Sequence, residues 1–241
     1  MHPSADEVET VQKQPIFNLH WIVPAIIGIM VLVHFLRVSV FEDATNSQTI
    51  VSFAFIPLRY SNLEIWQISP FAAYWSPLTY SFLHADWAHL IMNSFWLLAF
   101  GGVTARRLAA IRFFVLFALG AIGGAALHYI FHGNDISPMI GASASVSACM
   151  GAAIRLPAFS ENNFKGDLTN VRIRTLIEAL TNRQAITFIG VWFGVNLLFG
   201  TGVVDITGSG NSIAWEAHIG GFVAGFFLFG LIDGIFKSTK A

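Results

Sequence analysis

Residues 139–153 read MIGASASVSACMGAA. Three serines, Ser143, Ser145 and Ser147, alternate inside an apolar run that also carries the only cysteine, Cys149. Two readings compete: a small-residue surface on which membrane helices pack, or a helix start that holds a nucleophilic hydroxyl. The choice depends on what surrounds the stretch.

Of the 241 residues, 55% are hydrophobic and 11% charged, whereas soluble domains carry about 25% charged residues. A bilayer span needs roughly 20 mostly apolar residues. Six runs qualify, at about 21–41, 82–103, 112–131, 140–156, 184–203 and 214–232. The expected fold is an all-α bundle of six transmembrane helices over residues 21–235, with short polar tails at 1–20 and 236–241. The first twenty residues lack the basic start, apolar core and cleavage site of a signal peptide, so the first span is expected to stay in the mature protein. A net charge of -1 points to no nucleic-acid partner, and one cysteine excludes an internal disulfide framework.

Eleven of the 13 basic residues fall ahead of span one, between spans two and three, between spans four and five, or after span six. Only Arg37 and Arg59 fall on the other side. The positive-inside rule then puts both termini in the cytoplasm, and spans two, four and six all enter from the outer face. Segment 42–80, with Tyr60, Trp66, Phe71, Tyr74 and Trp75, has the aromatic composition of a loop lying in the interface. Residues 157–183 are expected to form a polar inner connection, and VVDITGSGNS is expected to form a short mobile loop between spans five and six. Glycines spaced by four (Gly120 and Gly124, Gly190 and Gly194, Gly221 and Gly225) predict close helix crossings.

Polar side chains inside spans are costly and usually functional. Span two carries His84, His89 and Asn93; His89 and Asn93 share a helix face, and His84 lies off it. Ser143 falls in the first turn of span four and His218 in the first turns of span six. With all three spans entering from the same side, these groups share one shallow layer. A serine becomes nucleophilic when a neutral histidine takes its proton. The free N–H groups of a helix start, joined by His89 and Asn93, would stabilise an oxyanion. Gly141, Ala142 and Ala144 beside the serine, and Gly220, Gly221 and Gly225 after the histidine, provide the small surfaces for packing. Glu216, two residues from His218, points away from it on a regular helix, so a Ser/His dyad is expected rather than a triad. Ser145, about 200° round the helix from Ser143, is expected to pack. Ser147, one turn deeper on the nucleophile's face, is a candidate helper.

Together these residues resemble the rhomboid intramembrane serine proteases. HADWAHLIMN fits H-x-x-x-x-H-x-x-x-N, GASA resembles G-x-S-G, and AHIGGFVAG resembles A-H-x-x-G-x-x-x-G. The three motifs stand in the family's order on matching spans. The resemblance implies cleavage of a single-span substrate in or near its transmembrane segment, with Ser143 as nucleophile and His218 as base. It makes His89, Asn93 and the Ser143 amide the oxyanion donors, and implies no metal or cofactor. Segment 42–80 would be the half-embedded first loop, and span five with residues 203–213 the gate and cap. Three positions depart from the pattern. Ala144 replaces a glycine, Ser147 stands where many members place an aromatic ring under the imidazole, and Trp75 is followed by Ser76 instead of arginine.

Other readings stay open. A catalytically inactive rhomboid-like protein would bind membrane clients, and a haem carrier or transporter would use His89 and His218. His84 is either an interfacial histidine or part of a polar network behind the site. His128 and His132 have a spacing that suits zinc on a helix, yet the only acidic residue near them in sequence is Asp135, and an interfacial role is expected. Asn196 is expected to hydrogen-bond between helices, and Cys149 to be an inert buried thiol. The compact form suits a bacterial inner membrane with the site open to the outer side.

Overall fold

The computed structural model describes residues 19–159, 168–200 and 214–234. Most of the tails 1–20 and 236–241, part of the 157–183 connection and the loop 203–213 lie outside the described residues. The elements are α1 (Ile22–Phe35, continued by a π-helical turn Leu36–Val40), α2 (Asp43–Phe53), α3 (Leu63–Ile68), α4 (Ala72–Thr79), α5 (Trp87–Trp96), α6 (Gly102–His132), α7 (Ser143–Ala153), α8 (Leu176–Thr181), α9 (Arg183–Gly200) and α10 (Trp215–Gly234). The described residues contain no strand, only an isolated antiparallel bridge between Phe55 and Met139. The fold is all-α.

Among the described residues three helical stretches are long and apolar enough to cross a membrane: Ile22–Val40, Trp87–His132 and Trp215–Gly234. The second contains two of the expected spans. Its helix is broken at Ala109, whose φ of 59° belongs to the left-handed region. Large apolar side chains such as Leu32, Ile91, Phe95 and Phe227 stay exposed on the outer faces. That pattern suits contact with lipid better than with water.

Span boundaries differ from expectation where caps intervene. The second apolar run begins at 82, but its helix begins at Trp87, because the Asp86 carboxylate accepts the His89 N–H at 2.7 Å and caps α5. His84 therefore lies in the turn ahead of the helix, not on it. Helix α7 has only 11 residues, and all but its first are buried. Surrounded by protein, it need not match the thickness of a bilayer.

The core is α7 held between α6 and α10. A methyl group on Gly124 or Gly120 of α6 would overlap the side-chain methyls of Ala144 or Ala148. One on Gly221 or Gly225 of α10 would overlap the Ala144 or Ala148 carbonyl oxygen. The register 144 with 221 and 148 with 225 makes α7 and α10 run in the same direction. The pairing of 144 with 124 and 148 with 120 makes α6 run against them. Bare glycine faces thus provide the backbone-to-backbone contact that replaces hydrophobic attraction between helices. Gly190 and Gly194 differ: a methyl on either would meet nothing within 4 Å. The α9 pair lines no crossing, and this helix sits at the edge of the bundle.

At the end of the bundle away from Ser143, Arg107 pairs with Asp233 at 2.7 Å. Its guanidinium also donates to the carbonyls of Leu168, Thr169 and Val171. This buried network ties the start of α6 to the end of α10.

Candidate active site

Ser143 is the first residue of α7, with Ala142 at the cap position and no side-chain cap. The leading N–H groups of α7 are therefore open to a ligand. Just before it, Gly141 adopts φ +123°, which an L side chain rarely takes. A methyl there would also stand 2.8 Å from Cε1 and Nε2 of the His89 ring. The glycine thus does two jobs: it turns the chain into α7 and lets the imidazole lie against the turn. The Gly141 amide donates to the Tyr80 carbonyl at 3.0 Å, and the Tyr80 hydroxyl donates to the Ala121 carbonyl at 2.9 Å. Tyr80 was not singled out from sequence, although it pins the serine's loop to α6.

Asn93 is buried one turn below His89 and donates to the His89 carbonyl at 3.1 Å, which leaves a second amide hydrogen. His89 and Asn93 thus both flank the start of α7. His84 is fully buried, its ring centroid 5.1 Å from that of His89, and Arg37 donates to the His84 carbonyl at 2.9 Å. Neither ring nitrogen of His84 has a protein partner among the described residues. The same holds for His34 on α1, also buried. His34 was missed because a lone histidine in an apolar span carries no spacing signal.

His218 lies one turn before Gly221, whose Cα packs on the Ala144 backbone, so the same register sets it level with Gly141, in the turn that leads into α7. Its Nδ1 is hydrogen-bonded to Oδ1 of Asn196 on α9. The Asn196 amide nitrogen donates to the Trp192 carbonyl at 2.7 Å, which orients Oδ1 as the acceptor. The proton of the ring is then on Nδ1, and Nε2 keeps its lone pair. Among the described residues His218 and the Ser143 hydroxyl are not hydrogen-bonded to each other. Resting nucleophile and base are often further apart than in the reacting complex. Glu216 turns instead to α6, where its carboxylate meets His132.

The other serines separate clearly. Ser145 is fully buried and donates to the Phe117 carbonyl at 2.8 Å, a packing role. Ser147 is buried one turn deeper. Cys149 is a buried free thiol. The methyl of Ala144 sits against Gly124, so the departure from glycine at 144 is matched by a glycine opposite. Gly225 takes the next crossing down, against Ala148.

Segment 42–80 folds into α2, α3 and α4 with an anchor that sequence did not reveal. Arg59 is buried, and its guanidinium donates to the carbonyls of Val51 and Ala54 and to the Ser76 hydroxyl. Trp75 donates through its indole nitrogen to the Ser52 carbonyl at 2.8 Å. An arginine 17 residues earlier thus brings its charge to Ser76.

The chain matches the Rhomboid domain family over residues 72–233. It is 28% identical over 201 residues to the rhomboid protease GluP of Bacillus subtilis (strain 168), covering 83% of this chain and 32% of that protein. It is 30% identical over 154 residues to RHOMBOID-like protein 4 of Arabidopsis thaliana, covering 64% of this chain and 33% of that one. The chain thus spans about a third of the length of each relative. With the family match running from α4 to the end of α10 and taking in Ser143 and His218, the chain belongs to the rhomboid family.

Proposed function

We propose that this chain is an intramembrane serine endopeptidase that hydrolyses peptide bonds in or next to the transmembrane segments of membrane proteins. One observation carries the reading. Three helices bring Ser143, His89 with Asn93, and His218 to the same end of the bundle, and Asn196 presets the tautomer of His218.

In the proposed reaction His218 Nε2 takes the proton of the Ser143 hydroxyl while Oγ attacks the scissile carbonyl carbon. The resulting oxyanion is met by the Ser143 amide at the helix start, the His89 ring and the free Asn93 amide hydrogen. The tetrahedral intermediate collapses as His218 returns the proton to the leaving amine. A water molecule, activated by the same imidazole, then hydrolyses the acyl-enzyme. None of these steps uses a metal, a cofactor or a carboxylate. Helix α9, with its open glycine face, is the proposed gate, and residues 203–213, which follow it in the chain, are the proposed cap.

The proposal includes six spans, cytoplasmic termini, and a site open to the outer side of a bacterial inner membrane. The basic residues on the connections support that orientation. A fluorophosphonate probe should label the purified chain and not Ser143→Ala. Cleavage of a helix-destabilised transmembrane substrate should disappear with the same substitution. Equal labelling of both proteins would refute the dyad. Client binding without cleavage by the wild type would favour the inactive rhomboid-like reading, and a Soret band the haem reading.

A further inference from the structure

Near the start of α10 the fold assembles a group of side chains distant in sequence. His128 and His132, one turn apart on α6, face Glu216 on α10, and their ligand atoms all lie within 4.8 Å of one another. His132 Nε2 is 3.0 Å from Glu216 Oε1, and His128 Nδ1 is 3.9 Å from Glu216 Oε2. The opposite nitrogen of His132 is held by Asp135 Oδ2 at 2.8 Å.

The His128 side chain is the second, independent sign. The residue is 9% exposed, and its Nδ1 has no hydrogen-bond partner among the described residues. A buried polar atom without a partner costs about 1–3 kcal/mol, and this one is turned toward a carboxylate. His132 is hydrogen-bonded through both ring nitrogens, to Asp135 and to Glu216, so an ion would enter by displacing the hydrogen that Nε2 shares with Glu216. Three groups that can each lend an electron pair thus converge on one point.

From this we infer that His128, His132 and Glu216 form a binding site for a divalent transition-metal ion of the Zn²⁺ class. Two imidazoles and a carboxylate are borderline donors that suit zinc and not the hard cations Ca²⁺ and Mg²⁺. Asp135 supplies the outer carboxylate that typically orients a zinc-bound histidine. Metal–ligand bonds of about 2.0–2.1 Å in a tetrahedron place the donors about 3.3 Å apart. The observed separations of 3.0 Å and 3.9 Å to Glu216 lie on either side of that value. An open depression of about 480 Å³, lined by Tyr129, Ile130, Phe131, His132 and Asp135 among others, borders the group on its His132 side. Bound there, the ion joins the end of α6 to the first turn of α10, two residues before His218. It is a clamp on the helix carrying the proposed base, separate from the reaction.

The test uses the untagged full chain in detergent, stripped with EDTA and titrated with Zn²⁺. The wild type should take up one ion per chain, show Zn²⁺–N/O distances of about 2.0–2.1 Å by X-ray absorption, and melt at a higher temperature with the ion than without. His128→Ala and Glu216→Gln should lose the ion and the thermal shift. Asp135→Asn should bind about 10- to 100-fold more weakly. The X-ray absorption measurement needs no variant, so a substitution that fails to fold leaves the ligand set testable. A wild type that takes up no Zn²⁺, a spectrum without imidazole scattering, or undiminished uptake by folded His128→Ala would overturn the assignment. All these readouts are independent of proteolysis.

Discussion

His218 on α10 and Asn196 on α9 are joined by a hydrogen bond from the imidazole Nδ1 to the amide oxygen. The proposed base is therefore oriented by the helix proposed as the gate. A motion of α9 that breaks the bond changes the orientation and tautomer of the imidazole. Among the described residues no carboxylate is hydrogen-bonded to this ring, and in the proposed reaction Asn196 would take the positioning role that an acid holds in a catalytic triad.

Asn196→Ala should lower kcat about 10- to 100-fold with little change in KM, the scale of a mispositioned catalytic group. Asn196→Asp keeps an acceptor oxygen and should retain more activity than the alanine variant. Steady-state cleavage of a transmembrane substrate measures both. Equal kcat for wild type and Asn196→Ala would remove the positioning role.

Gly124 and Ala144 share one crossing, and only one of them has room for a methyl group. Gly124→Ala should destabilise the bundle by about 1–3 kcal/mol, the range for overpacking a close-packed core. Adding Ala144→Gly should recover part of the loss. The recovery is partial because the new methyl also meets the Ala217 carbonyl oxygen, at 2.7 Å. Thermal unfolding of the two single variants and the double variant gives the coupling.

Arg59 anchors segment 42–80 through two carbonyls and a hydroxyl. Arg59→Met keeps most of the volume and removes the donors. Each buried carbonyl left without a partner should cost about 1–3 kcal/mol. Limited proteolysis should cut the segment sooner in this variant, and an unchanged digestion pattern would contradict the anchoring role.

Glu178 offers a pH test outside the membrane-spanning helices. It accepts from Arg172 at 2.6 and 3.1 Å and closes a capping box with Thr175 at the start of α8. The Arg172 guanidinium first, and the Thr175 amide second, pull its carboxyl down to about 2. A carboxylate with a depressed folded pKa stabilises the fold above its ordinary value and loses that contribution as the pH falls toward the folded value. Glu178→Gln should therefore melt below wild type at pH 7, with the difference closing between pH 4.5 and 2. A constant difference across that window would show that the charge is not involved.

Much of the candidate site was legible in the chain. Ser143, His89, Asn93 and His218 stand out because a polar group in an apolar span is costly enough to need a purpose. The glycines at 120, 124, 221 and 225 likewise announce crossings. The identical spacing at 190 and 194 was misleading, since a bare helix face says nothing about whether a partner covers it. Cap chemistry shifted the second helix to Trp87, and hydropathy alone cannot place such a boundary.

By itself the sequence determined an apolar helical protein, the family motifs and their order, and which residues could carry the chemistry. Periodicity and the cost of burying polar groups act within one segment and can be read there. Only the tertiary structure decided that Asn196 holds His218, that Arg59 reaches Ser76 and that Gly124 makes room for Ala144. It also brought Glu216 to His128 and His132, 84 residues or more away. These pairings depend on how helices dock in three dimensions, and one-dimensional spacing carries no record of which distant faces meet.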